Sequence, residues 1–345
     1  MKKNTIRIYI ILDKLNKEGV TIVICFYNAA VRIVPTLKHV IDQSARNHLN
    51  TELVLVNNAS TDDTDRIIEE TMQGFSVFPW KIVHEKTPGL ANARLCGLKN
   101  ASFDIILYCD DDNWLAIDYV SKAELILRNN SNIGILGGLG RPVSSIQIPD
   151  WFENVQNYYA VGPQMPTSGR VIGTRNVVYG AGMLIRKSEF EKLLSEGFVF
   201  QSLGRTKSNL SAGEDSELCL AVQIMGYHIY YNDSLTFSHF IEPRRLTETY
   251  FEKMKNGIST SGFYSKFYLD FFKGRNLVLV PTCFWLREIL HNLKGILIKI
   301  LKFDFKLRRN LIHIQFLLKE RSNYDLNVRK ILDLCGRLNK DKIIN

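Results

Sequence analysis

Three consecutive aspartates, Asp110–Asp112, close the apolar run in "LYCDDDNWL" (residues 107–115). Like charges repel, so a cluster behind a buried strand calls for a counter-charge. A hard divalent cation supplies one: Mg2+ and Mn2+ take oxygen ligands, typically one or two carboxylates completed by water and substrate phosphates. A bland reading competes, in which the acids form a solvated turn or an Asp cap for a helix starting near Asp118. A second acidic group, "GED" (213–215), precedes another apolar helical pattern. It can stabilise a helix N-terminus by about 0.3–1 kcal/mol, and a carboxylate there can also serve as a general base.

The elements that position these acids alternate. "VTIVIC" (20–25), "ELVLVN" (52–57), "KIVHE" (81–85) and "DIILYC" (104–109) are short β-rich runs, as for strands buried on both faces. Between them lie helical patterns. Val31, Val34, Leu37, Val40 and Ile41 mark one over 30–46. "STDDTDRIIEE" opens another with Ser60 or Thr61 as cap, and Pro88-Gly89 introduces a third over 88–100. This alternation predicts an α/β fold with a mostly parallel sheet. Ligands of such sheets sit at the carboxyl ends of the strands, where Asn57, Asn58 and the aspartates fall. Further strands are expected at "IGILGGLGRPV", 177–187 and 228–232, a helix at 213–226, and mainly helices after about 245.

Other chemistries lack their residues. There is no G-x-x-x-x-G-K-[ST], no G-x-G-x-x-G after the first strand and no H-E-x-x-H. Six scattered cysteines without a C-x-x-C pair suit a reducing compartment rather than a disulfide scaffold. The N-terminal "MKKNTIRIYIILDKLNKEG" is basic and then apolar, but Asp13 and Lys14 close the run and no small-residue cleavage site follows. It is read as mature protein forming an edge strand or short helix, and no spanning helix is expected.

"VTIVICFYNAA", "LVLVNNASTDDT", "PGLANARLCGL", "LYCDDDN", "GAGMLIRK" and "GEDSEL" resemble, in order and spacing, the family 2 glycosyltransferases over residues 19–245. The resemblance implies a GT-A fold and inverting transfer from a nucleotide-diphosphate sugar. It implies a catalytic domain at 1–245, with a nucleotide half at about 19–115 and an acceptor half at about 116–245, followed by a helical extension at 246–345. Cys25 and Tyr27 would flank the nucleobase. Asn58 stands where an aspartate usually accepts from uracil N3, and its amide oxygen can still accept. Arg94 would approach the nucleotide, or is an exposed helix arginine. Asp110 or Asp111 would contact the ribose, and Asp112 would ligate Mn2+ or Mg2+ bridging the diphosphate. Gly180 and Gly182 would line the donor-sugar pocket, or mark a bulge. Asp215 would be the base, with Glu214 orienting acceptor or loop.

His239 is a candidate metal ligand or a packing residue, and Arg244 and Arg245 are candidate phosphate binders. Trp151 suits either an acceptor sugar or a core position. A sugar-phosphate nucleotidylyltransferase would want a Gly-rich, basic loop after the first strand, and "CFYNAA" has neither feature. A non-catalytic sugar-binding relative is disfavoured by the presence of both Asp112 and Asp215.

The net charge of +9 is uneven. Residues 271–345 carry sixteen Lys and Arg against six Asp and Glu, and the preceding 270 residues balance at −1. Basic residues alternate with aliphatics at helical spacing rather than with stacking aromatics, so nucleic acid is not the expected partner. From Trp285 to Leu301 the residues Leu286, Ile289, Leu290, Leu293, Ile296, Leu297, Ile300 and Leu301 are expected on one helix face. Arg287, Lys294, Lys299 and Lys302 fall mostly on others. A basic amphipathic helix of this kind fits an anionic membrane surface; packing on the catalytic domain and an oligomer contact are the alternatives. The expected location is cytoplasmic, peripheral on the inner face of the plasma membrane, with a glycan or lipid-linked oligosaccharide as acceptor.

Overall fold

The computed structural model describes residues 18–47, 50–75, 78–172, 176–205, 210, 212–260, 262–273, 283–302, 304 and 306–343. The strand or helix expected within residues 1–17 lies outside them. The chain forms two compact units: residues up to Lys192 with Tyr227–Leu246, and Leu193–Gly226 with Thr247 onward. Residues 193–226 group with the helical region after Leu246.

The first unit is built on β1 (Val20–Phe26), α1 (Ile33–Asn47), β2 (Thr51–Asn57), α2 (Thr64–Met72), β3 (Trp80–His84), α3 (Leu90–Asn100) and β4 (Ile105–Asp110). β1, β2 and β4 are almost wholly buried, as their unbroken apolar runs require. Pro35 falls in the first turn of α1, where its missing N–H costs no helical hydrogen bond. The four strands are parallel in the order β3-β2-β1-β4. The chain therefore steps from β1 outward to β3, then returns to the other side of β1 to lay down β4. The strand order reverses between β1 and β4, the crevice where open α/β sheets bind ligands. In the register across that crevice Cys25 faces Asp110.

The sheet continues through β5 (Asn113–Leu115), α4 (Tyr119–Asn129), β6 (Ile133–Val143), β7 (Gly169–Arg170), β8 (Met183–Arg186), α5 (Lys187–Ser195, at the unit boundary) and β9 (His228–Phe240). β8 runs antiparallel to β4, β6 antiparallel to β8, and β9 parallel to β6. The expected strand over 177–187 shortens to four residues, because Gly182 adopts a left-handed φ of +68° that breaks the pleat. β9 is longer than expected and pairs antiparallel with β5, setting Asn113 opposite His239. One core cluster beneath the sheet gathers Ile22, Ile24, Leu37, Leu55, Leu107, Tyr119 and Phe237.

The second unit holds α6 (Glu214–Ile224), α7 (Glu248–Ser259), α8 (Gly262–Phe272), α9 (Phe284–Leu301), α10 (Arg308–Lys319) and α11 (Arg321–Ile343). Thr247 caps α7 by accepting from the Tyr250 N–H. An aromatic knot closes its core, with the buried Tyr324 ring against Phe263, Tyr264 and Phe267.

Candidate active site

The loops after β1 and β2 are laced together by polar side chains. Asn28 takes a left-handed φ of +46°. Its backbone N–H donates to Ser60 Oγ (3.0 Å), and its Oδ1 accepts from the Thr61 N–H (2.8 Å). Ala29 N–H donates to Thr64 Oγ1 (2.9 Å). Ser60 and Thr61 are thus loop fasteners rather than the expected helix cap; α2 begins three residues later, behind Asp63. Asn58, buried, donates to the carbonyls of Glu85 (3.1 Å) and Thr87 (2.8 Å), and its Oδ1 accepts from Gly89 N–H (2.8 Å). It clamps the β3–α3 loop and retains one lone pair on Oδ1.

The three aspartates have different surroundings. Asp110 is half-buried at the end of β4. Asp111 is gripped by Arg32, whose Nε and Nη2 donate to its two carboxylate oxygens at 2.9 and 2.8 Å. Arg32 also donates to the carbonyls of Asn28 (2.9 Å) and Tyr27 (3.0 Å), tying the first loop to the acidic cluster. Burial raises the Asp111 carboxyl to about 6, with Arg32 opposing and Asp112 adding to the rise. Nothing in the sequence flagged Arg32, since a bidentate pair 79 residues apart has no spacing signature.

Asp112 is buried between a histidine and an arginine. His239 Nε2 lies 3.3 Å from Oδ1, and Arg245 Nη1 donates to Oδ2 at 3.2 Å. Burial pushes this carboxyl up, but His239, Arg245 and Arg32 together outweigh it and hold the group below the ordinary range, so it stays ionised. Arg245 also lies over the Tyr159 ring at 6.0 Å, and Tyr159 Oη donates to its carbonyl. Its neighbour Arg244 points away, exposed and paired with Glu242 (2.9 Å). The two arginines, grouped by sequence, have separate environments.

Arg94 is not an exposed helix arginine. It is buried, its guanidinium lies 5.5 Å from the centre of the Tyr108 ring, and Tyr108 Oη donates to its carbonyl at 3.0 Å. A Cβ on Gly180 would collide with that guanidinium, so a larger residue there would have to displace the Arg94 side chain. Tyr119 Oη donates to the Gly182 carbonyl at 2.6 Å and would meet a Cβ there at 2.7 Å. Burial raises the Cys25 thiol, with Arg94 opposing, so it stays protonated and is no nucleophile. Tyr27 is half-buried beside it in the first loop. Trp151 is half-buried on the 3-10 helix Asp150–Tyr159, tilted against the core residue Phe152 at 6.2 Å. Trp114, on β5, is stacked between His39 (5.9 Å) and Phe240 (5.5 Å).

In the second unit, Glu214 and Asp215 open α6 behind Gly213, whose φ of +123° suits only glycine. Glu214 is buried and Asp215 half-buried; Asp215 Oδ1 accepts from the Ser216 N–H at 2.7 Å. One turn on, Glu217 is fully buried and accepts the backbone N–H groups of Gln201 (2.8 Å) and Ser202 (2.9 Å). Burial raises its carboxyl to about 8 against those two hydrogen bonds, and Glu214 and Asp215 add to the rise.

Among the described residues no group of three or more His, Cys, Asp or Glu side chains forms a metal cage. Asp112 Oδ1 and His239 Nε2 do form a two-donor set, and His239 Nδ1 is buried with no hydrogen-bond partner among the described residues. Two protein donors with open positions fit a Mg2+ or Mn2+ ion that shares its shell with substrate phosphates.

Comparison with known proteins agrees with this layout. Residues 21–194 match the family described as Glycosyl transferase family 2. The glycosyltransferase GlyA of Streptococcus pneumoniae is 32% identical over 105 residues, covering 30% of this chain and 14% of that protein. A Pyrobaculum calidifontis mannosyltransferase, PcManGT, solved with GDP-Man and Mn2+, superposes with a TM-score of 0.52 at 16% identity, over 94% of this chain and 87% of that one. Staphylococcus aureus TarS 1–349, solved with UDP-GlcNAc, gives 0.50 at 14% identity, over 94% and 91%. These structures share the GT-A sheet and its flanking helices. With half its length matched, and the acidic strand end at the sheet's crossover crevice, the chain belongs to glycosyl transferase family 2.

Proposed function

We propose that the protein is an inverting transferase that moves a sugar from a nucleotide-diphosphate donor, a UDP-sugar, to a hydroxyl of a glycan or lipid-linked glycan. The work belongs at the cytoplasmic face of the plasma membrane, in capsule, O-antigen or exopolysaccharide synthesis. The observation that carries the reading is Asp112: an ionised carboxylate, buried at the strand crossover, with His239 and Arg245 on its two oxygens. TarS with UDP-GlcNAc and PcManGT with GDP-Man and Mn2+ lend support for a nucleotide-sugar donor and a divalent cation.

Asp112 and His239 would hold Mn2+ or Mg2+, which when bound offsets charge on the leaving diphosphate. Arg245, beside the same carboxylate, favours phosphate at that position. Asp110 or Asp111 would contact the ribose, Cys25 and Tyr27 would flank the base, and Asn58 would meet the base edge through its remaining lone pair. Arg94 shapes the donor-sugar pocket by fixing the backbone at Gly180 and, through it, Gly182. Trp151 and Arg244 contribute to acceptor binding. Asp215 takes the proton of the attacking hydroxyl, and Glu214 orients the acceptor or its loop.

The test is UDP release from a panel of UDP-sugars, with and without Mn2+ or Mg2+, in parent and variants. Asp112→Asn is expected to abolish cation-dependent UDP binding. Asp215→Asn is expected to keep it and to lose transfer by roughly 10²–10⁴-fold, the range for acid–base catalysis. Parent-like UDP binding in Asp112→Asn, or parent-like transfer in Asp215→Asn, removes that residue from the mechanism.

A further inference from the structure

Helix α9 is built inside out. Its inward face is largely polar: Glu288 and Asn292 are buried, Glu288 is ion-paired with Lys266, and Asn292 Oδ1 accepts from Asn310 Nδ2 at 3.3 Å. The opposite face carries Leu286, Leu290, Leu293, Leu297 and Ile300, spaced 4, 3, 4 and 3 residues apart, with Leu301 beside them. All are exposed, Leu290 at 58%, Leu297 at 57% and Leu301 at 71%. The inward polar network fixes the rotation of the helix, so this leucine stripe is a surface feature. Of the apolar residues expected on one face, only Ile289 is buried in the unit's core. A continuous apolar stripe on the surface marks an interaction site.

Charge decides between occupants. The spacing is that of a coiled-coil seam, and a second copy is the obvious alternative. On α9, however, the exposed charged residues are Arg287 and Lys294, Lys302 follows directly at its C-cap, and the helix's one acid, Glu288, is buried and ion-paired. With Leu290 and Leu297 at heptad position a, Arg287 and Lys294 both occupy position e. Antiparallel pairing of two copies would set cation against cation, and parallel pairing would offer these cations Ile289 and Ile296 rather than acids. An anionic lipid headgroup layer complements them. The helix has 18 residues and is about 27 Å long, and no described helix is apolar enough to cross a membrane. Its geometry suits lying in the interfacial plane.

We infer that the leucine face of α9, rimmed by Arg287, Lys294 and Lys302, docks the protein on an anionic bilayer. The inference rests on the proposed function only for the choice of a cytoplasmic leaflet; the contact itself needs neither nucleotide nor cation. The full chain is mixed with phosphatidylcholine vesicles, with or without phosphatidylglycerol, in the absence of UDP and metal, and bound protein is measured by flotation. Binding is expected to require phosphatidylglycerol and to fall in roughly 1 M salt, where screening acts within about 3 Å. Leu290→Ser with Leu297→Ser, both exposed, is expected to lower partition at least tenfold while leaving the unfolding midpoint in place. Lys294→Glu with Lys302→Glu is expected to lose the salt-sensitive part. Light scattering runs alongside. A parent chain that ignores anionic vesicles, or a concentration-dependent dimer that the leucine variant dissolves while vesicle binding is unchanged, overturns the inference whatever the UDP assays return.

Discussion

Arg32→Met should destabilise the protein in a way that depends on pH, and the size follows from the site. Arg32 makes four hydrogen bonds, two to Asp111 and two to the carbonyls of Tyr27 and Asn28, and both side chains of the pair are largely buried. Removing one member of a buried pair typically costs about 3–5 kcal/mol. The pH dependence comes from Asp111, whose folded pKa of about 6 lies above its ordinary 3.8. A raised carboxyl gives its full contribution below the unfolded pKa, and stability is lost as pH climbs toward the folded value. In the parent that loss ends near pH 6, where Asp111 ionises against Arg32. Without the guanidinium the folded pKa moves higher, and the loss continues. The gap between parent and variant should therefore widen by about 1.4 kcal/mol per pH unit above pH 6. Urea unfolding of both proteins at several pH values from 5 to 8 measures it. Adding Asp111→Asn to the variant should flatten the profile. A gap that is constant over this range, or below about 1 kcal/mol at pH 7, refutes the reasoning.

Glu217 supplies a second pH signature: with its carboxyl raised from 4.5 to about 8, its contribution is full below pH 4.5 and lost on the way to pH 8. Glu217→Gln removes the titration but keeps an acceptor oxygen for only one of the Gln201 and Ser202 N–H groups, so it should lower the urea midpoint and make it vary less over that window; parallel profiles would count against a buried neutral acid. Gly180→Ala drives a methyl into the Arg94 guanidinium and should cost about 1–3 kcal/mol, the overpacking range. Combined with Arg94→Ala it should cost less than the sum of the two changes, and strict additivity in a thermal-melt cycle would show that Arg94 is not what excludes a side chain there.

Period and punctuation in the sequence were enough for the first half of the sheet. Unbroken apolar runs separated by amphipathic stretches admit little besides parallel strands with crossover helices, and a strand's carboxyl end is a local property of chain direction. Asp110–Asp112 and Asn58 were thus assignable to one edge before any coordinate. The helix opened by Glu214 and Asp215 was legible from the same kind of pattern, and the family resemblance added the base role expected of Asp215.

What the sequence could not hold was every relation between distant residues. Arg32 with Asp111, Arg94 beneath Gly180, and His239 with Arg245 on Asp112 join positions 79 to 133 residues apart. Each pairing depends on strand register and helix rotation, which emerge only when all elements pack together. The same holds for α9. Its leucine periodicity was plain, but a periodic stripe does not say which face turns inward. The buried ion pair of Glu288 with Lys266 and the Asn292–Asn310 contact decided that, leaving the leucines outside. Local pattern set the elements and the acidic edge; long-range packing chose each charge's partner, because electrostatic pairing in a buried site depends on distance in space and not along the chain.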